Sequence, residues 1–587
     1  MKERKKMAER KNDYINRDKI WMKYYSEEAK NATLPECSAY NYLKQINSDR
    51  YNEPAIHYYG KDITFGELVD RIEATAQAFS AAGVRPGDIV SFLSVQIPET
   101  IAAIYALNKI GATANMIDPR MDISFIKRMV VNSGSKVFVT LDIAWPKVKQ
   151  IKNLINQDLI ITQSAAASLP FVKKIALQIA TKTKIKYGED VITWKEFIKR
   201  GEGVVAVEEP YVGDNAVAIT YTGGTTGFPK GVVLTNDSVN AVVINFRYCD
   251  VVCEDNDRYL GIIPVFSAYG LVCGMHMPLC LRLTLVPIPK FIPQQLGKLV
   301  RDFRPNHIIS TPVFIELLIG SKEVANMDLS FLRTLASGGD SMNDGLEAKL
   351  NEFREKHGMK YPLAQGYGMS ELSAAACFCV NRIYKKGSVG IPSLTTTIEI
   401  IDPETGKEVP IGKIGEVCVT GPSMMKCYFD APEETANVMR LHEDGKVWIH
   451  SGDWGYMDED GFVFIVGRIK RMITRFDGHK VFPVNLEGLI DARDDVKNVC
   501  VVGVNDLDHS QGQYPLVVVQ LEGELSEEEK RAKCSDIFKQ CEREVEERGK
   551  PVAVVAVDEM PLTPMGKNDY RAVGKKYKEY DYKSWTL

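Results

Sequence analysis

The stretch ITYTGGTTGFPKGVVLTN, Ile219–Asn236, decides how the chain is read. The apolar run Val217–Tyr221 leads into it and Val232–Leu234 leads out. Both are β-rich and both end in turn residues, so they read as two strands joined by a loop. Between them lies Thr222-Gly223-Gly224-Thr225-Thr226-Gly227-Phe228-Pro229-Lys230-Gly231. Glycines let successive backbone N–H groups converge on an anion. Three threonine hydroxyls add donors, and Lys230 adds a compact positive charge. Polyphosphate oxygens fit that set; a plain glycine-rich hairpin is the alternative. The loop is not a Walker A motif, which needs Gly-Lys-Ser/Thr followed by a helix.

Working outward, the surrounding pattern is α/β. AIHYYGKDITFGELVDRIEATAQAFSAAG, from Ala55, reads as strand, turn, strand and amphipathic helix. Thr64 is the expected N-cap of that helix and Glu67 its capping-box partner. DIVSFLSVQ, ATANMIDP and VFVTLD are short apolar strands separated by helical stretches, which predicts a mostly parallel sheet covered by helices. Near residue 390 the pattern changes to alternating apolar and polar positions, which predicts antiparallel hairpins. After GRIKRMITRFDGHKVFP comes about a hundred residues with their own strand and helix pattern. The expected division is a charged extension over 1–36, a large domain over 37–468 and a small α+β domain over 469–587.

The 587 residues exceed one ordinary core. The formal net charge of −4 gives no electrostatic ground for nucleic acid as a partner. Twelve cysteines form no CxxC pair and eight histidines form no HExxH or HxH. The cysteines read as reduced core residues of a cytoplasmic protein, and the spacing argues against zinc. The apolar stretch Gly270–Pro289 is broken by His276, Arg282 and prolines, so it reads as core rather than a membrane span. Residues 1–30 hold ten Lys/Arg and six Asp/Glu. They read as a helical extension whose Ile20, Trp21, Tyr24 and Tyr25 dock on the body; peripheral contact with an anionic membrane is the alternative.

Four more motifs follow: SGGDSM (337–342), QGYGMSE (365–371), HSGDWGYMDEDGFVFIVGR (450–468) and PLTPMGKNDYR (561–571). In this order the five motifs resemble the adenylate-forming superfamily of acyl-CoA synthetases, adenylation domains and beetle luciferases. The resemblance implies a carboxylic acid activated by ATP with Mg²⁺ and then handed to coenzyme A. It implies a large domain of packed sheets with a hairpin subdomain, and a small mobile domain turning at Lys470. Thr222, Gly223, Gly224, Thr225, Thr226 and Lys230 would hold the β- and γ-phosphates. Gly338, Gly339 and Tyr367 would meet the adenine, Asp453 the ribose, and Arg468 the ribose and α-phosphate. Glu371 and Thr226 would hold Mg²⁺, and Lys567 would carry adenylation.

Phe266, Ser267, Tyr269, Ser310, Thr311 and Cys377 are the expected acyl-pocket lining, mostly apolar, as suits a fatty or aromatic acid. The chain departs from the family pattern at Gly223, Ser267, Asp340 and Asn485. These departures keep two alternatives open: an acyl-adenylate ligase loading an acyl carrier protein, or a non-catalytic nucleotide- or acyl-binding relative.

Overall fold

The computed structural model describes residues 19–170, 185–222, 228–249, 251–339, 342, 344–379, 383–509, 511–562 and 568–585. Among these, two large sheets, a smaller antiparallel sheet and a separate C-terminal sheet carry the architecture. In the seven-stranded sheet, Ile89–Leu93, Thr113–Met116, Val137–Leu141, Leu159–Gln163 and Val191–Thr193 run parallel, as the alternating strand and helix pattern predicts. Ala216–Thr222 joins them in parallel, and Lys230–Thr235 folds back antiparallel on it with Thr222 opposite Lys230. The opening stretch is therefore a hairpin at the sheet edge, and its loop residues 223–227 lie outside the described residues.

The nine-stranded sheet runs through Pro54–Tyr58, Thr284–Pro287, Arg258–Gly261, His307–Ser310, Thr334–Ser337 and Ala364–Tyr367 to an antiparallel end at Cys377–Cys379. One apolar core takes side chains from both large sheets and from the antiparallel one, among them Ile56, Val139, Tyr259 and Val417. The helix Pro98–Lys109 buries all twelve of its residues. A helix apolar or neutralised on every face belongs between layers rather than on a surface. The helix Phe65–Ala81 starts at the Thr64–Glu67 capping box that the sequence predicts.

The antiparallel sheet contains Thr397–Ile401, Gly415–Thr420, Met439–Leu441, Val447–Met457 and Val463–Arg468. The C-terminal sheet contains Val496–Asn505, Gln513–Leu521 and Ala553–Ala556, covered by the helices Glu527–Glu544 and Pro483–Asp491. From the N-terminal segment, Trp21 is fully buried, Tyr25 donates to the Pro392 carbonyl at 3.0 Å, and Tyr24 packs edge-on to Phe462. This is the docked arrangement. Residues 1–18 lie outside the described residues.

No described helix is long and apolar enough to cross a membrane. The stretch around Gly270 is core: Tyr269–His276 forms a π-helix and Met277–Cys280 continues it, nearly all buried. Among the described residues no disulfide forms, and most cysteines are buried.

Candidate active site

A cleft of about 4670 Å³ opens between the sheets of the large part and the C-terminal sheet. Thr222, Lys230, Gly338, Gly339, Tyr367, Glu371, Asp453, Arg468 and Lys470 all line it. Strand pairing explains how distant motifs meet there. Asp453 and Arg468 are direct cross-strand partners on Val447–Met457 and Val463–Arg468. Arg468 Nε pairs with Asp453 Oδ1 at 2.9 Å, and the Tyr367 hydroxyl donates to Asp453 Oδ2 at 2.6 Å. Burial pushes the Asp453 carboxyl above its ordinary value, while Arg468 and the Tyr367 hydrogen bond oppose that rise. Asp453 is 3% exposed, so its charge depends on these two partners.

A second set forms on the hairpin. The outer edge of Lys230–Thr235 pairs with residues 426–429: Phe429 N donates to the Gly231 carbonyl and Val233 N to that of Cys427. This places Tyr428 beneath the loop's lysine, with Lys230 Nζ 4.6 Å from the ring centroid. The Tyr428 hydroxyl donates to the buried Glu371 carboxylate. Met425 N also donates to the Glu371 carbonyl at 2.8 Å, so both the backbone and the side chain of Glu371 are fixed. A fixed carboxylate is a hard oxygen donor that fits Mg²⁺. Sequence reasoning missed Tyr428. It stands 57 residues from Glu371 with no motif around it, and only the edge pairing brings the two together.

Gly338 is required by close approach. A Cβ there would stand 2.9 Å from the Tyr269 hydroxyl, and Gly338 N donates to the Ser310 carbonyl at 3.1 Å. Gly339 has φ +80°, a left-handed value that suits glycine.

Of the six residues expected around the acyl group, Phe266, Ser267, Tyr269 and Thr311 line the cleft. Ser310 and Cys377 differ: both are fully buried behind its wall. Ser310 Oγ donates back to the Ala336 carbonyl, and Cys377 sits in the strand pair with Tyr367. On a strand, alternate side chains face opposite sides, and the sequence did not fix which side faces the cleft. Ser267 caps its own turn: its Oγ donates to the Pro264 carbonyl and accepts from Gly270 N.

Thr226, Gly223, Gly224, Thr225, Asp340 and Lys567 lie outside the described residues. Leu562 and Asn568, on either side of the Lys567 segment, bridge to one another and both line the cleft. Across the cleft the chain changes anchors within a few residues. Arg468 is held by Asp453, whereas Arg471 pairs with Glu487 and stacks 3.4 Å over the Tyr570 ring of the C-terminal part. Only Ile469 and Lys470 separate the two arginines.

One wall of the cleft bears Lys230 and the Glu371 carboxylate, and the C-terminal part forms another wall. Comparison with known proteins gives the family: the chain belongs to the AMP-binding enzyme family, which matches residues 43–429, with the AMP-binding enzyme C-terminal domain over 485–567. It is 29% identical over 524 residues to a long-chain-fatty-acid–CoA ligase of Bacillus subtilis, covering 87% of this chain and 91% of that one. It is 27% identical over 472 residues to a probable 4-coumarate–CoA ligase of Dictyostelium discoideum, covering 79% and 82%. Its fold matches the anthranilate CoA ligase AuaEII in complex with anthranoyl-AMP. The TM-score is 0.79 at 20% identity, covering 93% of this chain and 99% of that one. The chain is thus an adenylate-forming enzyme of the acyl-CoA ligase kind.

Proposed function

We propose that this protein is an ATP-dependent carboxylic acid:CoA ligase working through an acyl-adenylate, with a fatty or aromatic acid as substrate. The observation that carries the reading is the convergence of two polar sets on one cleft: Lys230 over the Tyr428 ring with its hydroxyl on Glu371, and Tyr367–Asp453–Arg468. The first suits a triphosphate tail. The second suits a nucleoside, because an ionised carboxylate offers paired acceptors to the ribose hydroxyls and the Tyr367 ring offers a face to adenine.

In the first half-reaction a carboxylate oxygen attacks the α-phosphorus. The bond from that phosphorus to the bridging oxygen breaks, and pyrophosphate leaves with the electron pair. Both reactants are anions, so positive charge placed between them lowers the barrier. Lys567 is assigned that bridging role, and Lys230 with loop residues Thr222–Thr226 holds the leaving pyrophosphate. Glu371 and Thr226 would hold Mg²⁺, which supplies charge neutralisation on phosphate oxygens. In the second half-reaction the thiol of coenzyme A attacks the acyl carbonyl and AMP leaves.

Arg468 and Arg471 anchor to opposite walls, which supports a pivot at Ile469–Lys470 that withdraws one face of the C-terminal part and presents another. The domain limits 1–36, 37–468 and 469–587 belong to this proposal. Phe266, Tyr269 and Thr311 give the acyl side a largely apolar wall, in keeping with the fatty-acid and 4-coumarate ligases among the relatives.

The test is pyrophosphate release with ATP, Mg²⁺ and a panel of fatty, aromatic and bile acids, followed by thioester formation with free coenzyme A or a holo acyl carrier protein. Release with at least one acid and transfer to coenzyme A is expected. Transfer only to the carrier protein would replace the acceptor, and ATP binding with no release for any acid would overturn the reading.

A further inference from the structure

On the antiparallel sheet, three residues before Asp453, lies a second polar cluster that the ligase reaction does not use. Cys418 on Gly415–Thr420 stands directly opposite His450 on Val447–Met457. His442 follows the neighbouring strand Met439–Leu441, turns over it, and stacks on the Trp448 ring at 5.3 Å and 14°. The Cys418 sulfur and one ring nitrogen from each histidine lie within 4.8 Å of one another. Cys418 is fully buried and His450 nearly so.

The hydrogen bonds around the two rings indicate what fills the gap. His442 Nδ1 faces the Glu399 carboxylate at 3.1 Å, and His450 Nδ1 faces Glu416 at 2.9 Å. A carboxylate accepts only, so each Nδ1 carries its proton. Both rings thus turn Nε2 away from the carboxylates, and the two Nε2 atoms face each other at 3.0 Å. A shared proton satisfies such a pair, and so does a cation bound by both nitrogens; the Cys418 sulfur beside them adds a third donor for the cation. A carboxylate behind each imidazole is the outer shell that orients metal-binding histidines and raises their basicity.

We propose that Cys418, His442 and His450 form a binding site for a borderline-soft divalent cation, Zn²⁺ by chemical class. One sulfur and two imidazoles are a zinc donor set, with bonds of about 2.3 Å to sulfur and about 2.0–2.1 Å to nitrogen. A tetrahedral ion at those lengths sets the two nitrogens about 3.3 Å apart, a slight widening of the observed pair. The Cys418 sulfur, packed with Ile401 and Trp448, has to move inward to reach bonding distance. His450 and Glu416 line the cleft, so ion and water have a route in, and a fourth position remains for water. The ion ties together three strands of the sheet. Glu416 carries the link onward, since its other oxygen accepts from Gly452 N at 3.2 Å, next to Asp453.

The experiment uses the full chain, stripped with chelator, desalted, and titrated with Zn²⁺ alone or Co²⁺ alone at stoichiometric levels. The expected result is one tightly held ion per chain. With Co²⁺, visible d–d bands and a near-ultraviolet sulfur-to-metal band are expected. Cys418→Ala should abolish the sulfur band, and His442→Gln should lower affinity at least 10-fold. Cys427→Ala, a change at a cysteine outside the cluster, should alter neither. Wild-type protein that keeps no ion after desalting overturns the proposal without reference to any variant. A Co²⁺ spectrum unchanged in both Cys418→Ala and His442→Gln overturns it as well.

Discussion

Asp453 and His450 stand three residues apart on one strand, and each is the centre of a polar cluster, yet the two clusters differ in kind. Around Asp453 the groups are a tyrosine and an arginine, and the cluster opens to the cleft. Around His450 they are a second histidine, a cysteine and two carboxylates, backed by Trp448, with His450 and Glu416 reaching the same cleft. The first offers hydrogen-bond acceptors and a positive charge to a nucleotide. The second offers soft donors to something small. One sheet thus positions two different chemistries, and changes to each should have separable consequences.

The largest effect is expected at the cleft's assigned bridging lysine. Lys567→Ala should lower acid-dependent ATP–pyrophosphate exchange by about 10²–10³-fold, the scale of removing one preorganised charge-stabilising group. Thioester formation from supplied acyl-adenylate should survive; equal loss of both half-reactions would move Lys567 out of that role. Next comes Asp453→Asn, which removes a charge-assisted pair of about 1.5–3 kcal/mol and leaves Arg468 without its carboxylate. The kcat/KM for ATP should fall by about 10–100-fold, and a change confined to the acid's KM would contradict the placement.

Tyr428→Phe keeps the ring under Lys230 but removes the hydroxyl that holds Glu371. Exchange should fall by about 10-fold or somewhat more with a raised Mg²⁺ requirement, since a hydrogen bond to an ionised carboxylate is worth about 1.5–3 kcal/mol. The smallest effect on exchange should come from His442→Gln, less than about 3-fold, even though it removes a donor of the proposed cation site. A loss as large as that of Asp453→Asn would join the two clusters into one machine.

Stability has a separate handle in the core. His276 is buried between the Tyr105 hydroxyl and Asn240 Oδ1, each at 3.0 Å, with Cys280 also alongside. Burial lowers its pKa to about 3, so the folded state keeps it neutral. The associated stability is present above the ordinary histidine value of 6.5 and is lost as pH falls from there toward 3, at about 1.4 kcal/mol per pH unit. Thermal melts of His276→Gln should show a shallower acid dependence in that window than the wild type; parallel curves would contradict the assignment.

What the sequence made legible follows contiguity. The two strands flanking the Thr222–Lys230 loop, the Thr64–Glu67 cap and the parallel strands before residue 200 are local patterns, and each stands in the structure as its residues predict. Tyr367, Glu371, Asp453 and Arg468 sit in short motifs and meet in the cleft. Tyr428 was invisible because it reaches Glu371 through an edge pairing. The Cys418–His442–His450 cluster was hidden for the same reason: the three residues stand apart in the chain, and antiparallel pairing brings them together. The sequence spacing argues against zinc, and the proposed cation site sets spatial proximity against that expectation; the Co²⁺ titration decides between them. Ser310 and Cys377 failed as pocket residues because strand alternation, not residue type, decides which side chains face a cavity.

The central claim is that a carboxylate oxygen attacks the α-phosphorus of ATP in this cleft. A substrate acid labelled with ¹⁸O in its carboxyl group, turned over with ATP, Mg²⁺ and coenzyme A, reads this directly by ³¹P NMR or mass spectrometry of the nucleotide product. The account predicts one ¹⁸O atom in the phosphate of AMP and none in pyrophosphate. Unlabelled AMP, or label released in inorganic phosphate alongside ADP, would contradict it.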